Sequence, residues 1–155
     1  MSLTGFVWHD RKAIDMSPMT RRAMLAAAVL APASALAQTA SPSDAYLYII
    51  WPQDGQRVKG AFWCRFGLRN MGIARAGDKT ENSGHHHLLI DANDFLKPGD
   101  VIPADKNHVH FGGGQSEARI DLPPGKHSLQ LVLGDAEHKI FNPPVMSKKI
   151  TITVY

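Results

Sequence analysis

Histidine is the residue of this chain best suited to chemistry. The sequence holds eight, and all but His9 lie beyond residue 84: His85, His86, His87, His108, His110, His127 and His138. Their spacing says more than their number. His85 and His87 are two apart in HHHLLID (85–91), and His108 and His110 are two apart in HVHF (108–111). In an extended chain alternate residues leave the same face, about 6–7 Å apart at the rise of a strand. Two imidazoles at that span can close on one ion, and two such pairs on neighbouring strands offer three or four nitrogens. Neutral imidazole suits Zn, Cu, Fe and Ni, whereas the oxygen cages of Ca and Mg are a poor match. We take His85, His86, His87, His108, His110 and His138 as candidate metal ligands. His127 follows a Pro-Gly turn at the start of a core strand and is a weaker candidate. Met71 and Met146 could add thioether ligands, which would favour Cu(I), but neither sits in a tight motif and packing is the preferred reading of each. The competing reading makes the histidines structural hydrogen-bonding groups.

Other residues bear on this chemistry. A metal-bound histidine donates its second N–H to a carboxylate or carbonyl, and Asp91, Glu117 and Asp135 are candidates for that part. Glu117 is also the candidate base of a zinc hydrolase. Gly112-Gly113-Gly114 reads as a tight turn. It lacks the following Lys-Ser/Thr and the helix of a phosphate loop. Cys64 shares the parity of Val58, Phe62, Phe66 and Leu68, so it reads as a buried thiol rather than a nucleophile.

The elements that position these residues have period two. Strands are expected at about 46–51, 57–69, 85–91, 108–111, 116–122, 127–135 and 146–154. The inward sets include Ala118, Ile120 and Leu122, then Leu129, Leu131 and Leu133, then Ile150, Ile152 and Val154. Turns fall at Pro52–Gly55, Pro98-Gly99 and Pro123–Gly125, and 70–84 reads as a polar loop. No segment reads as a helix of normal length. Seven short strands in about 110 residues predict an all-β, immunoglobulin-like β-sandwich, with a small open barrel as the alternative.

Composition narrows the setting. Residues 19–37 (MTRRAMLAAAVLAPASALA) have the charged start, apolar run and small-x-small end of a signal peptide. Thr20–Leu25 resembles a twin-arginine signal, with ordinary secretion the alternative. Residues 1–18 then read as an extension from a misplaced start codon. We expect a periplasmic or secreted protein with 38–45 (QTASPSDA) as a flexible arm and 46–155 as one domain. The chain is basic, with 17 Lys+Arg against 14 Asp+Glu, but residues 38–155 are nearly balanced, with 13 basic and 12 acidic. Their charges form no stripe, so a nucleic-acid footprint is not expected. No run of about 20 apolar residues marks a membrane span.

SGHHHLLID (83–91), HFGGGQSEARIDLPPGKHSLQLVLGD (110–135) and PPVMSKKITITV (143–154) together are similar to a family of small secreted bacterial domains of unknown function. PGKHSLQLVLGD also resembles the penultimate strand of bacterial immunoglobulin-like domains. The family resemblance covers roughly residue 58 to the end. It implies a compact single domain behind a signal peptide, with His85, His86, His87, His110, His127 and His138 in or beside its motif blocks. It implies no mechanism, and Phe141-Asn142 departs from its pattern.

These readings favour a non-enzymatic periplasmic protein that binds a transition metal, copper before zinc, to buffer or deliver it to a periplasmic metalloprotein or envelope component. One alternative is a small metalloenzyme of superoxide or hydrolase type. The other is an envelope-binding module with structural histidines, in which Trp51 and Trp63 would stack on a sugar.

Overall fold

A computed structural model of the protein describes residues 38–155. The expected extension (1–18) and signal peptide (19–37) lie outside the described residues. The described chain is all β, an immunoglobulin-like sandwich of two sheets. Its strands are β1 (Tyr46–Trp51), β2 (Arg57–Val58), β3 (Phe62–Arg69), β4 (Gly72–Ile73), β5 (Ser83–Ile90), β6 (His108–Phe111), β7 (Glu117–Ile120), β8 (Gly125–Gly134) and β9 (Ile150–Val154). The smaller sheet has the order β1-β3-β7. The larger has the order β2-β9-β8-β5-β4, with β6 also paired to β5.

The core lies between the sheets. Along β3, Phe62, Cys64 and Phe66 are buried while Trp63 and Arg65 are exposed, as strand alternation requires. Leu88 and Ile90 of β5, Leu129, Leu131 and Leu133 of β8, and Ile152 and Val154 of β9 meet them from the larger sheet. Each such side chain contributes about 1.5–3 kcal/mol when fully buried. Burial holds the Cys64 thiol up at about 12, so it stays protonated and inert.

β5 breaks the alternation, for all eight of its residues are buried. Its second face is covered by the chain that leaves it. Leu89 packs there with Ala92, Ile102, Val132 and Ile140 in a small separate cluster. A strand covered on both faces loses its polar-out positions. His85 and His87 therefore stand on the outer face of the larger sheet yet are shielded from solvent.

Several boundaries differ from expectation. The strand expected over 57–69 is two strands, interrupted where Gly60 takes φ +56°. The loop 70–84 contains β4, and the strand expected from 146 begins at Ile150. Residues 38–45 were expected to be a flexible arm. Residues 39–41 instead exchange backbone hydrogen bonds with Asn142, and the Gln38 side chain bonds to the Pro98 carbonyl and the Asn142 amide. Polar composition suggested mobility there, but each of these groups finds a tertiary partner.

Candidate metal centre

Four imidazoles meet at one end of the outer face. Strand periodicity puts His85 and His87 on the same side of β5. The antiparallel register sets His110 of β6 directly opposite His87. The fourth, His138, comes from the loop after β8, whose last residue, Gly134, pairs with His85. His138 is held at φ +64°, a left-handed conformation that non-glycine residues adopt at some cost.

The nitrogens converge. His85 Nε2 and His87 Nε2 are 3.0 Å apart, and His110 Nε2 and His138 Nε2 are 3.2 Å apart. His85, His110 and His138 each offer a ligand atom within 4.8 Å of the others. The ring centroids of all six pairs lie between 4.8 and 5.8 Å apart. Four imidazoles pointing tetrahedrally at one ion through bonds of about 2.0–2.1 Å would have nitrogens about 3.3 Å apart and centroids about 5 Å apart. His85, His110 and His138 are therefore grouped as a three-nitrogen site requires, and His87 stands beside them, 3.0 Å from His85 but outside that set.

Two glycines make room for this crowding. A Cβ on Gly134 would stand 2.9 Å from His87 Nε2, and one on Gly112 would stand 2.4 Å from His110 Cε1. Gly112 belongs to the triple glycine that sequence alone marks only as a turn.

The environment favours the neutral form of His85, His87 and His110. His85 and His87 are buried while His110 is exposed and His138 half-buried. Burial, followed by the neighbouring rings, drives His85 down to about 4 and His87 to about 3. Burial, then His138, lowers His110 as well. A neutral ring is the form that binds a metal. The Nδ1 atoms of His85 and His87 are buried with no partner among the described residues. An unpartnered buried polar group costs about 1–3 kcal/mol.

Asp135 builds the loop that carries His138. Its Oδ1 accepts hydrogen bonds from the Glu137 and Lys139 amides at 2.8 and 2.9 Å, and its Oδ2 accepts one from the Thr39 hydroxyl. The 38–42 segment thereby ties down the same loop.

The other candidate ligands stand elsewhere. His86 has the opposite parity on β5 and faces the sandwich core. It packs against Phe66, and its Nδ1 lies 2.9 Å from the Gln115 carbonyl. His108 shares the outer face of β6 with His110, but carboxylates meet both of its nitrogens. Asp105 hydrogen-bonds its Nδ1 at 2.8 Å, and Asp94 lies 2.9 Å from its Nε2 in an ion-pair contact outside hydrogen-bond geometry. His127 is held by Asp91 and by the Pro123 carbonyl near the other end of β8. Met71 packs on the main core and Met146 on the small cluster, so the four-ring set contains nitrogen alone. Glu117 is ion-paired to Arg65 on the smaller sheet.

Fold and site thus define a small β-sandwich with a histidine cluster able to hold a metal ion on the outer face of one sheet. The chain belongs to the family described as "Domain of unknown function (DUF4399)", whose model matches residues 64–155 and so includes all four clustered histidines. No curated protein matches the chain. Among solved structures, the endo-beta-1,4-mannanase from Thermotoga petrophila is similar at 16% identity with a TM-score of 0.39, over 72% of this chain and 20% of that one. The chain spans about a fifth of that enzyme's length, and a likeness at this level says nothing about activity.

Proposed function

We propose that this protein is an exported carrier that holds one transition-metal ion between His85, His87, His110 and His138 and buffers or delivers it. The observation that carries the reading is the convergence of His85, His110 and His138 at ligand spacing, with His87 Nε2 3.0 Å from His85 Nε2 as the fourth ligand we propose. Four protein ligands fill a tetrahedral shell, whereas a catalytic zinc keeps a position open for water. That favours binding over turnover. Two ligands are fixed on a buried strand, and two reach the surface, where a recipient metalloprotein or envelope component could displace them.

An all-imidazole set suits copper and zinc alike. We keep copper as the favoured ion, although the packing of Met71 and Met146 removes the thioether argument for it. Export rests on the signal-like residues 19–37. The experiment is titration of the full chain with Cu(I), Cu(II) and Zn(II), beside the His85→Ala/His87→Ala double variant and a His127→Ala control. We expect one tight equivalent, lost in the double variant and kept in the control. Equal weak binding by all three proteins would make the histidines structural. Fractionation of the native host should recover protein beginning at Gln38 outside the cytoplasm; a full-length cytoplasmic chain would overturn the export reading.

A further inference from the structure

A second feature lies at the opposite end of the sandwich. Val58 of β2 pairs with Val154, and Val154 pairs with Gly125 at the start of β8, while the histidine cluster sits beside Gly134 at its end. Nine strand rises separate the two ends, about 30 Å. Here Trp51, Arg57, Lys59, Phe62, Trp63 and Arg65 line an open groove of about 460 Å³, within the usual size range of ligand sites.

The groove joins two kinds of group. Trp63 is 51% exposed, an unusual position for a large aromatic. Trp51 is fixed by an edge contact with Phe62, their centroids 5.9 Å apart. Three cations stand beside these indoles, and no carboxylate lines the groove. Arg65 is neutralised by Glu117 at 3.1 Å. Arg57 is braced over the Tyr155 ring at 4.7 Å, and among the described residues neither Arg57 nor Lys59 has an ion-pair partner.

We propose that this groove binds an acidic polysaccharide, with Trp51 and Trp63 packing on the apolar faces of sugar rings and Arg57 and Lys59 pairing with uronate carboxylates. An indole offers a broad apolar face with little rotamer entropy to lose, and guanidinium matches a carboxylate fork. Other occupants fit less well. A peptide adding to β2, the edge of the larger sheet here, would have only two residues to pair with, which is too short for strand addition. A nucleic acid would call for a longer basic track than three cations, one of them already paired. The site is independent of the metal reading and would place the carrier on an acidic glycan.

The test is calorimetric titration of the metal-free full chain with a linear hexamer of galacturonic acid, beside its fully methyl-esterified form. We expect binding to the acid, at least tenfold weaker binding to the ester, and weakening at high salt. Trp63→Ala should lose at least tenfold. Trp63 is half exposed, so that variant should keep the wild-type melting temperature. Arg57→Glu/Lys59→Glu should abolish uptake, and both variants should keep wild-type metal affinity. No uptake of the acid, or unchanged affinity in Trp63→Ala, would overturn the proposal. So would tighter binding to a single-stranded oligonucleotide, an acidic peptide or phosphatidylglycerol vesicles.

Discussion

Gly112→Ala would test the metal centre without touching a ligand. The backbone there is not left-handed, so alanine adds no strain of its own. Its Cβ would fall 2.4 Å from His110 Cε1 and 2.6 Å from Nε2. Ordinary contact begins near 3.4 Å, so the ring must retreat by about 1 Å, several times the tolerance of about 0.2 Å in a metal–ligand bond. His110 is exposed and can swing away cheaply, so the fold should survive and the site should not. We expect affinity to fall by at least the 10–100-fold that disturbing a ligand's surroundings costs, about 1.4–2.7 kcal/mol. Urea unfolding of the metal-free protein should shift by no more than about 1 kcal/mol. Competition against a chromophoric chelator measures the first and circular dichroism the second. Gly113→Ala is the control, since the nearest atoms to its Cβ belong to the flexible Gln115 side chain, at 3.1 Å. Wild-type affinity in Gly112→Ala would show that His110 does not need that position, and the four-ring site would fail with it.

Three further outcomes are expected. His86→Ala should lower stability by about 2–4 kcal/mol by opening the core beside Phe66, yet leave metal stoichiometry at one. A lost equivalent would place His86 in the site. Asp135→Asn should loosen the His138 loop and weaken metal binding about 10–100-fold, while the Gly134–His85 pairing persists in amide exchange; unchanged affinity would deny Asp135 its positioning role. The third concerns His127 and Asp91. Burial opposes charge on His127, but the bonds to Asp91 and the Pro123 carbonyl outweigh it and hold its pKa above the usual value. Burial likewise opposes charge on Asp91, and the His127 and Ser128 bonds outweigh it and lower its pKa. The His127 contribution is therefore full below about pH 6.5 and is lost as pH rises through the higher folded value. The Asp91 contribution is present above the usual carboxylate range and is lost as pH falls through its lowered value. Urea midpoints of the wild type should fall relative to Asp91→Asn between pH 6 and 9. Parallel curves would refute the pairing.

Most of the strands, and which of their residues face inward, were legible in the sequence, although β4 and the break between β2 and β3 were not. Period two depends only on local chain geometry, so Phe62, Cys64 and Phe66, or Leu129, Leu131 and Leu133, could be read directly and are buried. It also determined that His85 and His87, like His108 and His110, share faces. It could not determine which faces meet. Only the pairing of β5 with β6 sets His110 against His87, and only the path of the loop after β8 brings His138 to them. Tertiary structure likewise parted His86, turned inward by one residue of parity, from its neighbours, and gave His108 to Asp94 and Asp105. Gly112, two residues from the His110 ring it admits, reads in the sequence only as part of a turn, and Gly134 looks like an ordinary strand end because the His87 ring beside it is remote in the chain. The docking of 38–42 was hidden for the same reason. Its partners, Pro98, Asp135 and Asn142, lie some 60–100 residues away, and local composition carries no record of contacts made at that distance.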